Sequence, residues 1–182
     1  MRILKAISST GALAALLTIM PVFSQAAVLS PDAQIDQTLS SLRDDAADAV
    51  TYSNALVSIS GQAGVSWQTH TTRLADLRTA VNDMGIKLAA IEESQGSFDA
   101  AQQKEIAQAD ELVRLMAINT QNSIEFVNHN QLSLWRAEYG RYTQNLADEA
   151  SKLAHTLGEF AQYTKVRRKD LSIRQSLGVA GE

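Results

Sequence analysis

The stretch LSLWRAEYGRYTQNLADEASKLAHTLGEFAQY, residues 132–163, decides the fold. Leu132, Trp135, Tyr139, Tyr142, Leu146, Leu153, Phe160 and Tyr163 recur at alternating steps of three and four, with multiples of seven across the gaps. That spacing predicts one apolar stripe along one long helix. The stripe holds one of the two tryptophans and three of the four tyrosines. So much apolar surface on one helix has to be covered by other helices.

The rest of the chain supplies them. A first helix is expected to open at Ser30-Pro31-Asp32, where Ser caps orphan amides, Pro fits the first helical position and Asp suits the positive end of the dipole. Its seam is Ile35, Leu39, Leu42, Ala46, Ala49, Ser53 and Leu56, mostly small residues, and Gly61 to Gly64 ends it. A second helix is predicted from about Ser66 to Ser94, with the seam Trp67, His70, Leu74, Leu77, Val81, Met84, Leu88 and Ile91. Gly96 closes it, and Ser97 is expected to cap a third helix over about Phe98 to Val127. There two stripes compete: Leu112, Leu115, Asn119, Asn122 and Phe126 against Ile106, Val113, Met116 and Val127. Four segments of near-equal length, each about 45 Å long at the α-helical rise, with short loops between them, predict an all-α, up-down-up-down four-helix bundle over residues 27–164. The alternative is an extended three-helix coiled coil. It follows if Asn128-His129-Asn130, which holds neither Gly nor Pro, fails to turn.

Residues 1–26 read as a secretory signal peptide. Met1, Arg2 and Lys5 give a cationic start, Ala12 to Met20 an apolar run, and Ser24-Gln25-Ala26 a small-x-small cleavage pattern before Ala27. The apolar run falls short of the roughly 20 residues that a spanning helix needs, which sets cleavage above an uncleaved anchor. A periplasmic or secreted protein is expected. It has no cysteine, which excludes a disulfide framework, a thiolate metal site and thioether haem, and leaves the core alone to hold the fold.

Charge is divided unevenly. The net value is −4. From Ala27 to Phe160 there are eighteen acidic and nine basic side chains, whereas from Ala161 onward there are two acidic and five basic. An acidic body argues against binding to nucleic acid. Residues 165–182 form a basic tail in which Lys165, Arg167, Arg168 and Lys169 are the candidate partner-binding residues, for an acidic protein or for peripheral contact with anionic lipid. Cations at a helix C-terminus also suit the dipole with no partner at all.

Chemistry-bearing patterns are sparse. Antiparallel folding brings His70, Asn122 and Tyr139 to one level, with Trp67 and Trp135 nearby. The plainer expectation is a polar layer that fixes helix register; the sharper one is a ligand pocket anchored by His70. His70, His129 and His155 all lack the Glu three residues before them that paired-metal bundles use. Asp44, Asp45 and Asp48 fall on a solvated face. Met84 and Met116 are seam residues of the ordinary core kind rather than haem ligands. Glu149 is the one acid at a seam position of the fourth helix. No nucleophile elbow or phosphate loop is present, so no catalytic residue, metal or cofactor is nominated and an enzyme is not expected.

Exported cysteine-free helical chains of this size occur among minor pilus subunits of type IV secretion systems, periplasmic helical chaperones and sensor-like bundles, and in architecture the chain resembles the first of these. The resemblance lies in its Gln-, Asn- and Ala-rich helices after a signal peptide. It implies a non-enzymatic structural or protein-interaction component of the cell envelope, with a protein partner or self-association. A small-molecule or cofactor-binding bundle centred on His70 is the alternative.

Overall fold

A computed structural model describes residues 31–94 and 98–177. The expected signal peptide, the Ser30 cap and the Gly96-Ser97 junction lie outside the described residues. Four helices follow in order: α1 Pro31–Ser60, α2 Trp67–Glu92, α3 Ala100–His129 and α4 Ala137–Ser176. Each packs on its neighbour in sequence, and α4 closes the ring against α1. The protein is an all-α four-helix bundle.

The seams of α1 and α2 are those the periodicity predicts. Ile35, Leu39, Leu42, Ala46, Ala49, Ser53 and Leu56 are buried, as are His70, Leu74, Leu77, Val81, Met84, Leu88 and Ile91, with Trp67 half-buried against them. Small side chains at Ala46, Ala49 and Ser53 leave room for the neighbouring helices to approach closely. Ser53 and Ser60 are buried without cost in unmet bonds, because each hydroxyl donates to a carbonyl one turn earlier, Val50 and Val57. α2 opens on Ser66, whose Oγ accepts from the Thr69 N–H.

α3 buries the whole second stripe together with Leu112 and Phe126 of the first, and leaves Leu115, Asn119 and Asn122 at the margin. Its interior face runs through Gln102, Ile106, Ala109, Leu112, Val113, Met116, Thr120, Ser123, Phe126 and Val127. Asn119 and Asn122 are only half-buried. The small hydroxyls of Thr120 and Ser123 take the inner places, and Ser123 satisfies its own by donating to the Asn119 carbonyl. The cap is Asp99 rather than Ser97. Asp99 accepts from the Gln102 N–H at 2.9 Å while Gln102 Oε1 accepts from the Asp99 N–H at 3.1 Å, a reciprocal capping box.

The chain does turn between α3 and α4, so the three-helix alternative is not adopted. The turn needs no glycine. Asn130 caps α3, its N–H and its side-chain Nδ2 both donating to the Phe126 carbonyl. Two tight turns follow, from Ser133 N–H to Asn130 O and from Arg136 N–H to Ser133 O. They delay the start of α4 to Ala137, which corrects the long stripe. Leu132 is 88% exposed and Trp135 is exposed too, both in the connection, while Leu134, at 4%, tucks under the bundle. The working seam of α4 is Tyr139, Thr143, Leu146, Ala150, Leu153, Leu157, Phe160 and Thr164. Its steps of four and three are unbroken. Tyr163 lies at the edge, exposed, with its hydroxyl donating to Asp99 Oδ2.

Candidate functional sites

Where α2 and α4 begin, His70 and Tyr139 meet inside the bundle. Both are fully buried, and His70 Nδ1 and Tyr139 Oη are hydrogen-bonded at 3.0 Å. The imidazole and the phenol ring meet edge-on, centroids 5.2 Å apart, and Phe126 stacks on Tyr139 at 5.6 Å. Tyr142 reaches the same cluster through an edge-on contact with Phe126. Of the five residues expected to form a pocket, the fold therefore joins His70 with Tyr139 and places Trp67 against the same core. Asn122 stays at the margin of α3, and Trp135 faces outward from the turn. Phe126 takes the position against Tyr139 that Asn122 was expected to fill. Sequence spacing showed Phe126 on a competing stripe, but only the way α3 is rotated decides which side chain faces in.

His70 Nε2 has no partner among the described residues. Burial pushes the His70 pKa below its ordinary 6.5 and drives that of Tyr139 well above its ordinary 10. At neutral pH both groups are uncharged. The unfolded chain takes up the His70 proton as pH falls through 6.5, but the folded chain resists until a lower pH. Stability attributable to this pair is thus intact above pH 6.5 and declines as pH drops from there toward the depressed folded value. Thermal melts between pH 7.5 and 5 are expected to show a decline in the native protein that is shallower in a His70→Leu/Tyr139→Phe variant. Identical slopes would remove His70 as the cause.

A second polar pair bridges α3 and α4. Asn119 Nδ2 donates to Glu149 Oε1 at 2.7 Å, and Glu149 Oε2 is buried with no partner among the described residues. Desolvation is the main cause of a Glu149 pKa raised above its ordinary value, while the Asn119 bond and Lys152 pull it down. Its contribution has the opposite sign to that of His70: full below the ordinary carboxylate value and lost as pH rises through the folded value. Comparing native protein with the double variant isolates the histidine slope, since Glu149 is common to both.

The basic end of the chain, read from the sequence as a tail over residues 165–182, is helical well past Arg168, because α4 continues to Ser176. Two of the four candidate partner-binding cations are engaged within the chain. Arg167 Nη1 lies 3.0 Å from Asp99 Oδ2 and donates to Gln102 Oε1 at 2.6 Å, and Arg168 is paired with Asp36. Gln102 completes this end by donating to Thr164 Oγ1, both residues being buried. Lys165 and Lys169 are exposed. Asp45, expected on a solvated face, is partly covered and bridges to Lys87, tying α1 to α2.

Among the described residues no group of three or more His, Asp or Glu side chains is arranged to hold a metal ion, and no helix is long and apolar enough to cross a membrane. Comparison with protein families, curated proteins and solved structures finds no match to the chain.

Proposed function

We propose that the protein is a non-enzymatic, exported structural or protein-interaction component of the cell envelope, working through its helix faces. One observation carries this above all. The polar groups that could do chemistry are buried against one another, whereas Val166, Leu171, Ile173 and Leu177 are large apolar side chains left exposed on the last turns of α4. Apolar side chains gathered at one end of a bundle favour contact with another macromolecule over catalysis. Export is supported by the charged start, short apolar run and small-x-small pattern of residues 1–26.

The orphaned Nε2 of His70 favours a second reading, a bundle that takes up a small molecule beside His70 and Tyr139. Native mass spectrometry of the protein released gently from its own host's envelope separates the two. A chain beginning at Ala27, found as multiples of its own mass or with a co-purifying protein, supports the interaction role. An added mass of a few hundred daltons that disappears in His70→Ala would replace it with the binding role. A chain retained with residues 1–26 in the cytoplasm would end the envelope assignment.

A further inference from the structure

The outer face of the bundle between α2 and α3 carries an open apolar groove of about 670 Å³. Val81, Gly85, Ile86 and Ala89 of α2 and Val113 and Ala117 of α3 line it, Ile86 being 69% exposed, and Asn82, Asp110 and Arg114 add polar groups to the lining. α2 and α3 are the least closely packed of the four neighbouring pairs. Small residues at the contact hollow the surface, and a Cβ added to Gly85 would meet no atom within 4 Å.

The same chain carries a ridge of matching form. Val166, Ile173 and Leu177 are 62, 45 and 70% exposed. Val166 and Ile173, seven residues apart, lie on one side of α4, and Leu177, one residue past its end, continues the spacing. Lys165 and Lys169 flank that side on one edge and Arg174 on the other, with Asp170 paired to Arg174 between them. Charge is complementary at the level of the segments, since this end of the chain is cationic and residues 27–160 carry an excess of acids, while the groove's own lining holds one charge of each sign, Asp110 and Arg114. Residues 81–89 span about 12 Å of helix and residues 166–177 about 16 Å, so one face of the ridge covers the groove.

Ridge and groove cannot meet within one molecule. Arg167 at Asp99 and Arg168 at Asp36 fix α4 where α3 and α1 begin, and the helix runs on past that end. The groove opens on the side formed by α2 and α3, away from the α1–α4 pair.

We propose that the C-terminal extension of α4 in one protomer docks, through Val166, Ile173 and Leu177, in the α2–α3 groove of a second copy of this chain. The mode is helix in groove, and it deepens the interaction role above by naming the partner. It is a heterologous contact: each protomer keeps a free groove and a free ridge, so the assembly grows into a ring or a filament rather than stopping at a symmetric dimer. The surface is small, and the association is expected to be weak, with a Kd on the order of 100 µM.

Sedimentation equilibrium of the purified exported chain, from about 10 µM to about 1 mM, tests this directly. The mean mass should rise with concentration and fall back on adding salt. Gly85→Leu fills the groove and Ile173→Asp spoils the ridge. Each is expected to keep the native circular dichroism spectrum and to remain monomeric. Mixed together, they should recover association as a one-to-one pair, because the first retains a ridge and the second a groove. A native chain that stays monomeric throughout overturns the inference while leaving co-purification to judge the broader role. Association that persists in Ile173→Asp alone also overturns it, as does a mixture that fails to pair. Monomers whose α4 binds anionic vesicles, with binding lost in Ile173→Asp, would assign the ridge to a lipid surface instead.

Discussion

Replacing Tyr139 by Ala is expected to cost about 3 to 5 kcal/mol of folding stability, the range for removing a large aromatic side chain from a core. Tyr139 is fully buried, stacked on Phe126, and among the described residues it is the hydrogen-bond partner of the buried His70 imidazole. Truncation therefore opens a cavity and takes the partner from His70 Nδ1, leaving neither imidazole nitrogen bonded among the described residues. For a domain of this length each kcal/mol lowers the melting temperature by about 2–4 °C, so the midpoint should fall by about 6–20 °C. Tyr139→Phe keeps the ring and removes only the hydroxyl, and about 1–3 kcal/mol is expected from the unmet imidazole nitrogen. His70→Leu on its own should be similarly destabilising, because it leaves the phenol without its partner. The double variant His70→Leu/Tyr139→Phe removes both polar ends and should recover most of the loss. Urea titrations of the four variants would show this. A Tyr139→Ala protein within 1 kcal/mol of native, or a double variant no better than the sum of the singles, would mean that the pair is not a closed unit.

Leu134→Ala is expected to cost about 2–5 kcal/mol, while Leu132→Ala should stay within about 0.5 kcal/mol of native. The two leucines are separated by one residue, and only the conformation of the turn decides which is covered. Leu134 is buried beneath the bundle and Leu132 is almost fully solvated. Chemical denaturation of the two single variants measures the contrast. If Leu132 carried the larger cost, α4 would have to begin earlier than Ala137, restoring the unbroken stripe from Leu132 onward.

That contrast also marks the limit of what was legible in the sequence. Along α1 and α2 the spacing of seam residues named the interior almost residue for residue, because a regular helix with terminal stop signals has a single rotation that buries its apolar face. At the α3–α4 junction the same rule misled. Leu132 and Trp135 share the phase of Tyr139 in the sequence, but hydrogen-bonded turns at Asn130 and Ser133 break the helical register between them. Periodicity carries no information about where a helix starts when the turn lacks Gly and Pro. In α3 two stripes about one helix-face apart were both plausible, and the choice rests on packing against α2 and α4, which no local pattern encodes. His70 and Tyr139 were foreseeable as a pair because both sit on unambiguous seams. Arg167 and Arg168 looked like free cations because their partners, Asp99 and Asp36, lie far away along the chain.

The closing of α4 against α1 has a consequence for the order of folding. Asp36 and Arg168, which meet at this seam, are 132 residues apart in the chain. α1 brings Ile35, Leu39, Leu42 and Leu56 to the interior beside the small Ala46, Ala49 and Ser53, and it is covered from two sides, by α2 and by α4. A chain emerging from a ribosome or a translocation pore can form the α2–α3 hairpin early, since those contacts are local. The first helix gains its second neighbour only when the last one has emerged. Completion of the fold is therefore a late event governed by closure of a long loop, which slows folding more than it weakens the finished bundle. Neighbouring helices can pair as the chain is made, but the ring of four closes only when almost all of it has been made.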